Sequence, residues 1–152
     1  MQRLPPLHQV PVFQRGGTIV PRQMRLRRAS SLMGSDPYTL IVAPNASGAA
    51  EGTLYLDPGD GYGYRKGEHH YMAYAYAAGT LSVSRLSGGA FNAVNELERV
   101  ELLSVAPPSK VTLKQPSGDS DLSFHFSAET KRLVIRKPAV LMAATDWSIA
   151  LS

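Results

Sequence analysis

The stretch Thr80-Leu81-Ser82-Val83-Ser84 alternates polar and apolar residues without a break. Successive side chains of a β-strand point to opposite faces of the sheet, so a period of two predicts a half-buried strand. The same pattern recurs at Leu122–Phe126 and at Trp147–Leu151, and Tyr74 and Tyr76 alternate with alanines. Strands therefore dominate the predicted fold.

Shorter runs with strand character lie on both sides of these stretches. They are Tyr38–Ala43, Gly52–Leu56, Lys110–Lys114 and Arg132–Arg136. Clusters of Gly, Pro, Asn and Asp separate the runs, and many short strands divided by turns predict an all-β fold, an antiparallel β-sandwich. Asn95–Val105 fits either a helix or a bulged strand, so we expect any helix to be short and to lie within residues 92–103.

The beginning of the chain carries a separate apolar segment. Val10–Gln14 and Thr18–Val20 are predicted to pair as a short N-terminal hairpin, because Gly16 and Gly17 can form a structural turn where a Cβ atom would clash. A lone hairpin is marginal in water, so this segment must pack on something else or leave apolar side chains exposed. Residues 25–37 show neither strand nor helix periodicity, so we expect them to form a flexible connection to the strands that follow.

The charge is uneven along the chain, although the formal net charge is only +4. Six arginines and no acid precede Asp36: Arg3, Arg15, Arg22, Arg25, Arg27 and Arg28. A basic arm can contact nucleic acid, but this one lacks the interleaved aromatic residues that stack on bases. We therefore expect a solvated connection, or arginines that face acids on another domain, and no nucleic-acid partner.

Composition excludes several other classes. The chain has no cysteine, which rules out disulfides and cysteine-based zinc sites. Its apolar runs are too short to cross a bilayer, so we expect no membrane partner. The first residues, 1–6, contain no apolar core of signal-peptide length.

Acidic residues near the middle of the chain are predicted to shape a turn. Asp57, Gly59 and Asp60 form a glycine-rich cluster in which Asp serves backbone geometry. A calcium loop would need Gly where Tyr62 stands, and no helix follows to bind phosphate. We assign no catalytic, cofactor-binding or metal-binding residue, and no cofactor, to this chain.

Aromatic residues and one asparagine are the remaining candidates for a site. Five tyrosines cluster within fifteen positions: Tyr62, Tyr64, Tyr71, Tyr74 and Tyr76. They either form a platform for a sugar ring or fill the core of the sandwich and its edges. His69 and His70 are neighbours on a predicted strand, so they point to opposite faces and do not share a metal. Asn45-Ala46-Ser47 fits the N-glycosylation rule and lies in a turn-rich segment, so Asn45 is a glycosylation candidate.

Three segments resemble the α-glucosidases of glycoside hydrolase family 31. Val10–Pro21 is similar to the PVF-x-RGG-(S/T)-I-(I/V/L)-P segment that follows the catalytic barrel of that family. Gly52–Gly59 resembles the motif G-x-L-(Y/F)-x-D-D-G, except that Pro58 replaces the second Asp. Leu133–Pro138 and Asp146–Ile149 resemble the C-terminal end of one group within the family. The segments occur in the family's order and span nearly the whole chain.

The resemblance implies a domain division and a missing catalytic part. Residues 1–30 would end the proximal C-terminal β-domain, 31–35 would form a linker, and 36–152 would form the distal β-sandwich domain. The family's catalytic aspartates lie on a (β/α)₈ barrel of about 250 residues. Nothing here matches their motifs, so we expect this chain alone not to be an enzyme.

The resemblance also implies the setting of the full-length parent. That parent would hydrolyse terminal α-linked glucose from N-glycans in the lumen of the endoplasmic reticulum. This chain would contact the catalytic barrel of the same parent chain, and the parent would pair with a non-catalytic β subunit. The alternative is a free-standing β-sandwich module that binds carbohydrate or protein.

Overall fold

Short β-strands account for nearly all of the regular structure. The computed structural model describes Val10 and residues 12–152. Within that part the strands are β1 (Thr18–Gln23), β2 (Tyr38–Ala43), β3 (Ala50–Leu56), β4 (His70–Ala77), β5 (Thr80–Gly88), β6 (Glu96–Leu103), β7 (Val111–Lys114), β8 (Ser120–Asp121), β9 (Phe124–Ser127), β10 (Arg132–Leu141) and β11 (Ser148–Leu151). The predicted all-β fold is confirmed. No helix of these residues is long and apolar enough to cross a membrane.

Helical structure in the described residues is limited to two single turns. They are 3₁₀ turns at Ser30–Met33 and Gly63–Lys66. The prediction that any helix would lie within residues 92–103 is therefore wrong. That region instead forms β6, because Leu97, Val100 and Leu102 are all buried between β2 and β10.

One curled sheet contains all the strands. Their order across the sheet is β8-β7-β11-β5-β4-β3-β1-β2-β6-β10-β9. Most neighbours run antiparallel, but β1 with β3 and β2 with β6 run parallel. The mixed sheet differs from the purely antiparallel sandwich expected from the sequence, because alternation marks a strand without specifying its neighbour.

The curled sheet encloses a single apolar cluster. In β4, His70, Met72, Tyr74 and Tyr76 are buried, and the residues between them face outward. The Tyr74 hydroxyl donates a 2.9 Å hydrogen bond to the Met142 carbonyl oxygen, which follows β10 on the far side of the sheet. This contact shows that strands distant in the sheet order pack face to face around the core.

The N-terminal segment joins this sheet and does not form a separate hairpin. β1 pairs with β2 along its whole length, and Thr18 also faces Glu51 of β3. The predicted pairing of Val10–Gln14 with Thr18–Val20 is wrong for the described residues, since Val10 and residues 12–14 are not in a strand. Two neighbouring strands stabilise β1 better than one hairpin partner would. Pro11 and residues 1–9, with His8 and Arg3, lie outside the described residues.

The apolar side chains of this segment have two different environments. Ile19 is in the core and only 3% exposed. Val10, Val12 and Phe13, in contrast, are 86%, 90% and 78% exposed. The expected exposure of apolar side chains therefore occurs before β1 and at Val20 within it, while Ile19 of β1 contributes to the core.

Hydrogen bonds hold the connection between β1 and β2. Arg27 donates from Nε to Asp36 Oδ2 at 2.9 Å and from Nη2 to Asp36 Oδ1 at 2.6 Å. Asn95 Nδ2 donates to the carbonyl oxygens of Gly34 and Asp36, which ties the connection to the segment before β6. Bidentate arginine–carboxylate pairs of this kind fix geometry. The flexibility expected for residues 25–37 does not agree with these contacts.

Stability is expected to depend on pH through Asp36. Hydrogen bonds from Arg27 hold the pKa of the buried Asp36 carboxyl below its ordinary value, although burial acts in the opposite direction. A lowered folded-state pKa contributes stability above the unfolded value of about 3.9, and that contribution is lost as the pH falls through the folded-state pKa. We expect Asp36→Asn to melt at a lower temperature than the wild type at neutral pH.

Melting curves recorded from neutral pH to below the carboxyl range test this expectation. The difference between the wild type and Asp36→Asn should shrink as the pH falls, because Asn does not titrate. A difference that stays constant down to the lowest pH would show that the Asp36 charge contributes nothing to the fold.

Candidate functional site

Three neighbouring aromatic rings, two of them exposed and the third partly buried, lie on the outer side of β3 and β4. Alternation directs Tyr55 and Tyr71 outward, and they lie directly opposite each other in the register. Their ring centroids are 6.4 Å apart. The His69 ring stacks on Tyr55 with a centroid distance of 5.3 Å and an interplanar angle of 20°. Tyr55 is 47% exposed and Tyr71 is 37% exposed, so both side chains keep solvent-accessible surface.

A second aromatic pair lies on the loop that joins these two strands. The rings of Tyr62 and Tyr64 are 6.3 Å apart, and the Arg65 guanidinium carbon lies 5.0 Å from the Tyr62 centroid. Gly67, at φ +86°, ends the 3₁₀ turn that carries Tyr64 and Arg65. We call the five rings of Tyr55, Tyr62, Tyr64, His69 and Tyr71 the aromatic surface.

The loop that carries Tyr62 and Tyr64 joins the strands that carry Tyr55 and Tyr71. Burial is the largest cause that raises the pKa of the Tyr55 hydroxyl above its ordinary value, and the nearby charge of Asp57 acts in the same direction.

The predicted tyrosine cluster divides between this surface and the core. Tyr74 and Tyr76 are buried, and burial raises the pKa of each hydroxyl. Tyr62, Tyr64 and Tyr71 are exposed. Sequence reasoning missed Tyr55 as a member of the surface. The available signal is the alternation of Glu51-Gly52-Thr53-Leu54-Tyr55, which predicts that Tyr55 lies on the outer face of β3. The register of β3 with β4 then places Tyr55 opposite Tyr71.

The predicted turn residues lie in tight loops. The Gly59 amide donates to Asp57 Oδ1 at 2.9 Å, and Gly59 has φ +76°. Asp60 is exposed in the same loop. Gly16 and Gly17 lie in the turn before β1, where Gly17 has φ +87° and donates to the Ala43 carbonyl oxygen. In the part of the chain that the structure describes, no group of three His, Cys, Asp or Glu side chains could hold a metal ion.

The histidines occupy separate environments. His70 is buried, and its Nε2 lies 2.5 Å from the Phe91 carbonyl oxygen, which fixes the proton on Nε2. His69 Nε2 lies 3.1 Å from the Ser87 hydroxyl on the outer face. The two rings therefore face opposite sides of the sheet.

The arginines before Asp36 are partly neutralised within the chain. Arg27 pairs with Asp36, and Arg25 Nη2 lies 3.8 Å from Glu98 Oε1. Arg15, Arg22 and Arg28 are exposed. Two of the arginines thus have an acidic neighbour within the described residues. For the others, a solvated connection or acids on another domain stays a prediction.

The glycosylation candidate lies in an exposed turn. Asn45 Oδ1 accepts hydrogen bonds from the Ser47 amide at 3.0 Å and from the Ser47 hydroxyl at 2.7 Å. Both residues are exposed, and the turn connects β2 to β3. The acceptor amide and its serine partner are accessible together on the surface.

We expect Asn45 to carry a glycan when the chain enters a secretory lumen with an added signal peptide. The expected result is a mass that decreases on treatment with an N-glycosidase, because the triplet is exposed and turn-forming. Asn45→Gln is the matched control and should show the lower mass without treatment. A wild-type mass that the glycosidase leaves unchanged would contradict the expectation.

Comparison with known proteins identifies the class to which this fold corresponds. The fold matches a crystal structure of the ER glucosidase II heterodimeric complex, which contains a catalytic subunit and the binding domain of a regulatory subunit. The TM-score is 0.86, with 28% identity over 97% of this chain and 18% of that chain. The fold is thus that of a β-sheet part of an α-glucosidase complex.

Curated relatives agree with this class. Neutral alpha-glucosidase AB of Sus scrofa is 44% identical over 148 residues, which cover 95% of this chain and 16% of the relative. The protein of the same name from Dictyostelium discoideum is 34% identical over 97% of this chain and 16% of its own length. This chain is homologous to glucosidase II α subunits, which are α-glucosidases of glycoside hydrolase family 31.

The similarity covers a small part of each relative. The chain spans about 16% of the length of the curated relatives named above. No protein-family model matches the chain.

Proposed function

We propose that this chain is the C-terminal, non-catalytic β-sandwich part of an α-glucosidase. Its full-length parent would hydrolyse terminal α-linked glucose from N-glycans. The observation that carries the proposal is the alignment, in which nearly all of this chain corresponds to 16% of an α-glucosidase. An all-β segment of this size supplies a folded module beside a catalytic domain, and the barrel that performs the chemistry takes about 250 residues by itself.

The distribution of exposed apolar side chains supports a contact with the rest of a parent. Of the 14 large hydrophobic residues that are exposed in the described part, seven lie within residues 10–32. These seven are Val10, Val12, Phe13, Val20, Met24, Leu26 and Leu32. Exposed apolar residues concentrated in one short segment indicate a surface that another part covers. We propose the catalytic barrel and proximal β-domain of the same parent as the cover.

The domain division remains part of this proposal. Residues 1–30 would end the proximal β-domain, 31–35 would link, and 36–152 would form the distal domain. The exposed apolar side chains before β1 support this division, because the rest of the proximal domain would cover them. β1 joins the sheet of residues 36–152 and would then connect the two domains directly.

The similar proteins support a proposal for the setting of the parent. The matched crystal structure is of an ER enzyme complex with a regulatory subunit. We propose that the parent of this chain likewise works in the lumen of the endoplasmic reticulum and pairs with a non-catalytic β subunit.

The chain alone is expected not to hydrolyse an α-glucoside. Glycosidic hydrolysis uses two carboxyl groups at a fixed separation in a shaped pocket, and the proposal places that pair on the barrel of the parent. Release of chromophore from a chromogenic α-glucoside, with heat-treated chain as the control, measures this. Turnover above that control would show that this chain carries a catalytic site of its own and would overturn the proposal.

A further inference from the structure

We propose that the aromatic surface is a binding site for neutral hexose oligosaccharides. This inference does not depend on the proposed function, because the surface lies within this chain and the same test applies to a module with any parent. The proposal rests on three observations: the geometry of the rings, the short side chains beside them and the charged residues of the neighbouring loop.

The stack of His69 on Tyr55 covers one face of each ring, so a sugar ring would contact the remaining face of Tyr55 or the ring of Tyr71. Tyr55 and His69 are within 20° of parallel, and Tyr71 adjoins Tyr55 at 6.4 Å. Aromatic faces carry partial negative charge, and the axial C–H groups of a hexose carry partial positive charge, so the two surfaces attract each other. The tyrosine hydroxyls lie at the edges of the rings, where they can hydrogen-bond to sugar hydroxyls.

Small side chains leave these rings accessible from one side. Thr53, Ala73 and Ser84 are cross-strand neighbours on β3, β4 and β5, on the same outer face as Tyr55 and Tyr71. A floor of such short side chains does not shield the rings next to it. An extended oligosaccharide could therefore lie along the strands with one residue stacked at the aromatic end.

The charges near the rings favour a neutral ligand. The loop between β3 and β4 carries three acids, Asp57, Asp60 and Glu68, and two bases, Arg65 and Lys66, so it has one more negative than positive charge. Nucleic acids and other polyanions need a surplus of positive charge, which this loop does not provide. Carboxylates accept hydrogen bonds from sugar hydroxyls, and the Arg65 guanidinium donates them. The set fits a ligand that carries many hydroxyls and no charge.

Titration of the isotope-labelled chain with maltotetraose, followed by amide NMR, tests the proposal. We expect shift changes at Tyr55, His69 and Tyr71 and in the loop of residues 57–68. The double variant Tyr55→Ala/Tyr71→Ala should weaken this binding at least about tenfold, as loss of two stacking contacts predicts. Both rings are partly buried, so the variant should melt below the wild type and still give the dispersed amide spectrum of a folded chain. Phe13→Ala removes an exposed ring before β1, outside the aromatic surface, and should bind as the wild type does.

Three results would overturn the proposal. The first is the absence of shift changes up to the solubility limit of the sugar. The second is a set of changes that persists undiminished in the folded double variant. The third is selective binding at these rings of a proline-rich peptide or a sulfated oligosaccharide, with none of maltotetraose, which would assign the surface to a different ligand class.

Discussion

Replacing Gly52 by alanine is expected to lower the free energy of unfolding by about 3 kcal/mol, at the upper end of the usual cost of overpacking. A Cβ atom at Gly52 would lie 2.0 Å from the Ile19 carbonyl oxygen and 2.8 Å from the Ile19 carbonyl carbon. Both are backbone atoms of β1, which is held on its other side by β2. Relief of the clash would require β1 to move away from β3, and Ile19 would leave the core.

Chemical denaturation of Gly52→Ala and Gly34→Ala measures this effect with a matched control. A Cβ atom at Gly34 meets nothing within 4 Å, and this residue has right-handed helical geometry. Gly34→Ala should therefore change stability by no more than about 0.5 kcal/mol, or raise it slightly. Equal stability of the two variants would contradict the close approach of β1 to β3.

Truncating Ile135 to alanine should cost about 2–5 kcal/mol, the range for deleting a large aliphatic side chain in a core. Ile135 is fully buried on β10, between β6 and β9. It belongs to the C-terminal segment that resembles one group of family 31 enzymes. We therefore expect that segment to stabilise the fold by packing in the hydrophobic core.

Arg136→Ala on the same strand is the control for Ile135→Ala. Arg136 is exposed, so its truncation should change the unfolding free energy by less than about 0.5 kcal/mol. Calorimetric or denaturant unfolding of both variants distinguishes a core position from a surface position. An Ile135→Ala variant as stable as Arg136→Ala would show that β10 does not pack into the core that β4 and β11 share.

Alternation in the sequence predicted where the strands lie but not how they pair. Tyr38–Ala43 was predicted with the bounds that β2 has, and Thr80–Ser84 lies inside β5. The partner of β1 could not be predicted, because a period of two specifies which side chains are buried and leaves the neighbour open. The residues of β1 pair with residues 15 to 33 positions away along the chain, from Gln23 with Tyr38 to Thr18 with Glu51, and local signals cannot report such contacts.

The two N-terminal segments that resemble family 31 are in contact in the structure. Ile19 belongs to the first segment and Gly52 to the second, and their backbones meet where β1 faces β3. The glycine that begins the second motif is therefore needed because β1 passes close to it. Sequence comparison showed the motif, but only the fold gives the physical reason for its glycine.

The aromatic surface could be predicted only in part. Clustering of tyrosines between residues 62 and 76 was visible in the sequence, and strand alternation separates buried Tyr74 from exposed Tyr71. Tyr55 joins Tyr71 through the register of β3 with β4, and His69 joins through stacking just before β4 begins. Both contacts depend on a 13-residue loop (57–69) whose path the sequence does not determine.

The most direct test of the account is an exchange of segments within a relative. The 148-residue segment of Sus scrofa neutral alpha-glucosidase AB that aligns with this chain would be replaced by this chain, and α-glucosidase activity measured on the purified chimera. We predict a folded chimera with activity of the same order as the parent enzyme. We also predict a loss of that activity when Val12 and Phe13 are both changed to glutamate, because these exposed residues would cover a partner surface. A chimera that is folded by calorimetry and inactive, or one that the glutamate substitutions leave unaffected, would contradict the assignment of this chain as the non-catalytic β-part of an α-glucosidase.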